Sequence, residues 1–315
     1  MKNQSLTVLK FLWRFDILNK SKSYDVVNDL LKFLLCQLKE NEIAISHFRI
    51  QKTAFKIKKE LGEDHPLYEY LPFYWYEHGP FSNVVAKQFN ILKDNNCTSY
   101  SSNTVFINND SLNKFLHEPN LVNDYPKIKQ ISQRIFEDKN DFLNKFDEDI
   151  YIDYAPFSFM HTFKYDLFEP SRNDDFIYSG EYDNFLDNIY DCLSNLPYDN
   201  LLNDFSILFS RLFSRLELIN DENQFFNCWS YIAISIQQSW QTFARWVSIY
   251  DHDNFYNEDI SKWKTNLNKR VKLFNKAVNY LEDKTDYILN NPSQDNYTSF
   301  EDRIYNATIG NYLME

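Results

Sequence analysis

A mainly α-helical protein in two parts is what this sequence predicts. An N-terminal helical module with a small β-hairpin (residues 1–118) precedes an acidic, aromatic-rich C-terminal helical bundle (119–315). Three observations point there. The 315 residues hold only four glycines and nine prolines, whereas open α/β sheets and β-sandwiches need many turn glycines. Apolar residues recur at helical spacing through most of the chain, and almost continuously from about residue 181. One compact stretch, Phe73–Leu92, breaks that pattern: an aromatic run with strand propensity meets Gly79-Pro80, and a short amphipathic helix follows.

Taken in order, Leu6, Val8, Leu9, Phe11, Leu12, Phe15 and Leu18 lie close to helical spacing. Val26, Val27, Leu30, Leu31, Phe33, Leu34, Leu35 and Leu38 repeat the signal, so 5–18 and 24–39 read as buried helices. Ser46 is the expected N-cap of a helix that buries Ile50, Ala54, Ile57 and Leu61 and ends at Gly62. Phe73–Tyr76 favours a strand, Gly79-Pro80 is expected to make the turn, and Ser82 to cap a helix through Leu92. Cys97–Tyr100 and Thr104–Ile107 flank Ser101-Ser102-Asn103 as a hairpin. Helices followed by a hairpin, the last helix short and tightly turned in, is the order of a winged helix-turn-helix.

Asp124 and Pro126 open a predicted long helix over 125–148. Periodicity is lost over 150–180, which reads as a packed irregular connection. Helices are predicted at 182–194, 199–219, 222–250, 258–289 and 299–313, with Pro292 separating the last two. The domain boundary is placed within 118–150.

A hydrophobic content of 43% and an aromatic content of 18% exclude a wholly disordered chain. The net charge of −12 leaves no global field to attract nucleic acid, so DNA binding would need a local basic patch. Cys36, Cys97, Cys192 and Cys228 are far apart and form no CxxC pair; they read as reduced thiols, mostly in the core. The N-terminus is too charged for a signal peptide, and no run of about 18 apolar residues occurs. A cytoplasmic protein with no membrane span is expected.

Two pieces carry a family resemblance. Arg49-Ile50-Gln51-Lys52-Thr53-Ala54-Phe55 resembles the LQKLLF-type helix of the Panacea/SocA-like antitoxin domain and the related YwgA-like proteins, with Ile50 in place of Leu. Tyr76-Glu77-His78-Gly79-Pro80-Phe81-Ser82 resembles that group's YGPYS-type turn, with His78 in place of an aromatic residue. The matching positions are Gln51, Lys52, Gly79, Pro80 and Ser82, and the resemblance spans about residues 24–108. It implies a small winged-helix-like module found in toxin neutralisers and phage-associated proteins, with no catalytic residues to carry over.

Arg49, Lys52, Lys56 and Lys59 form a stripe at i, i+3, i+7 and i+10, and Asn83, Lys87 and Asn90 form the polar face of the 82–92 helix. Cations neutralise phosphates and Asn can bond adenine edges, so these seven are the nucleic-acid-binding candidates. Solvated faces are the plainer explanation of both stripes. Arg245 and His252 loosely resemble the Arg-x(4–6)-His signature of HEPN-type ribonucleases. That would imply a phosphate-stabilising Arg and a proton-handling His across a dimer, although Trp246 departs from the pattern. The plainer expectation for Arg245 is an ion pair with a nearby carboxylate. The acidic clusters around Asp147, Glu148, Asp149 and Asp153, and at Asp174-Asp175, lack nuclease spacing and read as solvated surface or as a face for a basic partner. P-loop, GxGxxG, GxSxG and HExxH patterns are absent from the sequence, so no cofactor and no metal is expected.

The sequence therefore reads as a non-enzymatic binding or regulatory protein of a toxin–antitoxin or phage-defence system. It would act by protein contact, with DNA binding as a second role. The alternatives are a metal-independent ribonuclease using Arg245 and His252, and a structural subunit of a multi-protein defence complex. A protein partner is expected, and the aromatic helices at 205–216 and 225–250 could supply a homo-oligomer face.

Overall fold

The computed structural model describes residues 25–94, 98–101, 104–107, 125–173, 200–219, 222–251 and 257–291. The helices expected at 5–18, 182–194 and 299–313 lie outside these residues, as do Cys97, Asp174, Asp175, Cys192 and His252. The described chain is mainly helical. It divides into two compact units: Met1–His161 with Ala244–Thr265, and Thr162–Phe243 with Asn266–Glu315. That division differs from the boundary expected near 118, because helices beyond it pack onto the centre of the first unit.

The first unit begins with α1 (25–40), whose Val27, Leu30, Leu31, Leu34, Leu35 and Leu38 are buried as their spacing predicts. A two-residue strand β1 (Ile45–Ser46) leads into α2 (His47–Leu61). Ser46 caps α2 by accepting from the Arg49 amide at 3.2 Å, and Gly62 at φ +86° ends it. A short α3 (Pro66–Tyr70) precedes the antiparallel pair β2 (Tyr74–Tyr76) and β3 (Gly79–Phe81). Here the expected turn is corrected. Gly79 and Pro80 belong to β3, Pro80 pairing with Trp75, and the chain reverses at Glu77–His78. A two-stranded ribbon has free edges, so proline's missing N–H is tolerated there.

Helix α4 (Asn83–Asp94) follows, capped by the Ser82 hydroxyl, which accepts from the Val85 amide. Then β4 (Thr98–Ser101) and β5 (Thr104–Ile107) pair as expected, and β1 joins the edge of β5 to give the order β1-β5-β4. A strand as short as β1 has no readable period.

The long helix expected at 125–148 is three helices: α5 (Tyr125–Phe136), α6 (Lys139–Asn144) and α7 (Phe146–Tyr154). Asp138 makes the break, its carboxylate accepting from the Asn140 and Asp141 amides as the N-cap of α6. The break lets Phe142 meet Phe136 and Phe146, each with ring centroids 4.9 Å away. Helices α5 and α7 pack on α2, which is why they stay with the first unit. The 150–180 segment is likewise more regular than expected. It holds α8 (Phe159–Thr162), a π-helix (Phe163–Phe168) and α9 (Glu169–Asn173). Pro170 has no N–H to give the carbonyl four residues back, and the ladder widens to a π turn just before it.

The second unit is built on α10 (Asn200–Glu217) and the adjoining parts of α11 (Glu222–Tyr250) and α12 (Asn257–Asn290). The face of α10 read from sequence, Phe205, Leu208, Phe209, Leu212, Phe213 and Leu216, is buried throughout. Phe205 lies against Phe243 and Phe274, and Phe163 against Phe209 and Trp240, at ring separations of 5.1–5.9 Å. These aromatics are core rather than an open face. Arg211 grips the Glu282 carboxylate with both ends of its fork and also reaches Asn275 and Asn279; Arg215 pairs with Asp286. Cys36 and Cys228 are buried free thiols, and burial pushes both up to about 11. Among the described residues no helix is long and apolar enough to cross a membrane.

Two glycine substitutions separate backbone strain from crowding. Gly62 and Gly79 both have positive φ, but a Cβ on Gly62 meets nothing within 4 Å, whereas one on Gly79 would lie 3.3 Å from both Lys52 Cε and Tyr151 Cε2. Gly62→Ala is expected to cost about 1–2 kcal/mol of strain alone. Gly79→Ala is expected to cost about 2–4 kcal/mol, strain plus overpacking. Urea unfolding curves of the two variants, compared with wild type, give the ranking.

Candidate functional site

Helix α2 is buried on almost every side, and its polar residues therefore need internal partners. Gln51 is 1% exposed. Its amide nitrogen donates to the Ser82 carbonyl at 3.2 Å and its amide oxygen accepts from the Ser82 N–H at 3.0 Å. The side chain thus pairs with the backbone at the start of α4 as a neighbouring strand would. Lys52 is 5% exposed and its ammonium lies 3.2 Å from Asp147 Oδ1. Arg49 donates to Asp147 Oδ2 at 2.9 Å and lies over the Phe142 ring. Burial alone would raise the Asp147 carboxyl; Lys52 and Arg49 outweigh it and hold the group below the ordinary carboxylate range. The five positions singled out by resemblance, Gln51, Lys52, Gly79, Pro80 and Ser82, meet in one place: Gln51 binds Ser82, and Lys52 packs beside Gly79, the strand neighbour of Pro80.

This placement corrects the reading of the basic stripe as an open face. Arg49 and Lys52 are committed to Asp147, and Lys56 points to Asp153 at 3.8 Å and over the Phe146 and Tyr154 rings. Lys59 is exposed, above the Phe55 ring. On α4, Asn83, Lys87 and Asn90 are all exposed, and Asn83 accepts from the Tyr74 hydroxyl at 3.4 Å. Of the acidic cluster, Asp147 and Asp153 answer α2, and Glu148 faces His161 at 2.7 Å. Among the described residues no group of three metal-ligating side chains comes together.

A groove of about 630 Å³ lies beside this node, between α2, α5, α6 and α7. Its apolar lining is Ile135 with Phe142 and Phe146, the two phenylalanines buried in the fold. Glu60, Glu137, Asp138, Asp141 and Asp149 bring five carboxylates to its walls against two cations, Lys56 and Arg134. Arg134 is paired with Glu60, and Asp141 with Lys145 outside the lining. Of these acids only Asp149 belongs to a cluster singled out from the sequence, and the groove itself depends on the break at Asp138 that folds α6 back.

Arg245 is 9% exposed. Its guanidinium lies 4.2 Å from the Tyr76 ring centroid and 5.7 Å from that of Trp263. The expected carboxylate partner is not there: among the described residues no carboxylate pairs with Arg245, and its Nε has no acceptor.

Asp147→Asn leaves two cations of α2 without a counter-charge and is expected to destabilise by about 2–3 kcal/mol near neutral pH. Because the folded carboxyl titrates below its ordinary value of 3.8, its stabilisation is fully present above that value. It is lost as pH falls through the lower folded value. The wild-type minus Asn difference in unfolding free energy should therefore be level between about pH 5 and 7 and shrink below about pH 4. Denaturant titrations across that range measure it. Compared with known proteins, the chain matches no family model, no curated protein and no solved structure.

Proposed function

We propose that this chain is a non-enzymatic binding protein that acts by contact with a basic protein partner, in a toxin–antitoxin or phage-defence type of system. The observation that carries this reading is the groove between α2, α5, α6 and α7. Its lining is acid-rich, five carboxylates against two cations, and so attracts and orients a basic segment. The resemblance of Gln51-Lys52 and of the turn through Ser82 to Panacea/SocA-like antitoxin domains supports the choice of system. The order of α2, α4 and the β4–β5 hairpin is compatible with a winged-helix-like module.

The test is co-purification with products of the adjacent genes, comparing wild type with Glu137→Lys/Asp149→Lys. Both residues are exposed, so the variant should fold. Binding is expected to fall at least about tenfold and to weaken with salt in the wild type. Equal co-purification by both proteins would remove the groove from the interface.

A second reading rests on the exposed row Asn83, Lys87 and Asn90 on α4, together with Lys59, as a DNA-contacting surface. With Arg49 and Lys52 engaged internally, Lys59 and Lys87 would carry the phosphate contacts. Lys59→Gln/Lys87→Gln should lower the slope of log affinity against log salt by about 2. DNA retention that is indifferent to the double variant eliminates this role.

A further inference from the structure

Neither the groove nor the α2 node accounts for Arg245. We propose that Arg245 anchors an oxyanion-binding site in the first unit, taking a carboxylate or phosphate group of a small ligand on the edge of its guanidinium. Three observations converge on it. The side chain is 9% exposed, so its charge has lost most of its water. Among the described residues no carboxylate pairs with it, and the buried Nε has no acceptor. The guanidinium carbon lies over the Tyr76 ring, 4.2 Å from its centroid. A ring contact of this kind supplies no oxygen acceptor to the N–H groups, which lie in the guanidinium plane.

A buried cation held by rings alone is under-compensated. Cation–π contact recovers part of the lost hydration, but a buried donor without an acceptor remains unfavourable. A two-oxygen anion approaching in the plane satisfies two donors at once, which is the geometry the guanidinium fork accepts best. Trp263 and Tyr74, both half-buried, meet at an interplanar angle of 48° with ring centroids 4.4 Å apart, so the surroundings of the arginine are aromatic. The Ser248 hydroxyl, one turn along α11, donates to the Trp75 carbonyl at 2.6 Å and ties this part of α11 to the strand that carries Tyr76.

The experiment uses the full chain with inorganic phosphate and, separately, acetate as probes, at constant ionic strength set by sodium chloride. Tryptophan fluorescence and thermal unfolding are followed for wild type, Arg245→Lys and Arg245→Met. Wild type is expected to show a saturable response to at least one probe, with a midpoint on the order of millimolar for so small an anion. The probe that binds more tightly identifies the ligand group. Arg245→Lys should bind roughly tenfold more weakly, having the charge without the fork. Arg245→Met should show no saturable response, and in chloride alone should melt within a few degrees of wild type or above it, since it removes an uncompensated charge. The proposal is overturned by a flat wild-type titration, or by identical responses in wild type and Arg245→Met. It is also overturned if Arg245→Met melts many degrees lower or fails to fold, the mark of a carboxylate of the chain itself left without its partner.

Discussion

The first unit depends on how α2 is buried. A helix enclosed on nearly all sides would ordinarily be apolar all round, yet α2 carries Gln51, Lys52, Thr53 and Lys58 inside. Each is answered from elsewhere: Gln51 by the Ser82 backbone, Lys52 by Asp147, Thr53 by the Arg49 carbonyl, Lys58 by the Tyr68 ring. These partners come from α3, from the residue ahead of α4, from α7 and from α2 itself. Burying such groups without partners would cost several kcal/mol for the charges alone. The elements around α2 are thereby held to one arrangement, in which a Cβ at position 79 would crowd Lys52 and Tyr151 at 3.3 Å and the positive φ favours glycine.

Local signals were legible where the interaction is local. Ser46, Gly62 and Ser82 act as the caps their positions predict, and the apolar residues expected inside on α1 and α2 are buried, as is the face of α10. The misreadings share one cause. Asp138 looks like an ordinary polar residue on a long helix until Phe142 needs to turn inward. Gly79-Pro80 looks like a turn until Trp75 is seen to need a partner across the ribbon. In each case a contact with another element decided between two locally acceptable conformations.

The site was less legible than the fold. Arg49, Lys52 and Lys56 have the spacing of a phosphate-binding stripe, and nothing near them in the chain signals that α7 will neutralise them. Asp147 stands 98 positions from Arg49, and a charge pair at that separation leaves no periodic trace in a chain rich in Asp and Glu. The acid-lined groove was barely visible: only Asp149 of its carboxylates stood in a conspicuous cluster, and the lining comes together only once α6 folds against α7. Arg245 reads the other way, since a nearby carboxylate was the ordinary expectation and two aromatic rings took its place.

The pairing of Arg211 and Arg215 with Glu282 and Asp286 has a consequence beyond its small contribution to stability. The cations are one turn apart on α10, and the acids one turn apart on α12. Sequence number rises together on the two helices, so they run alongside in the same direction. A displacement of α10 by one turn would leave one arginine facing no acid. The ladder thus adds a directional constraint on register to the non-directional one of hydrophobic burial.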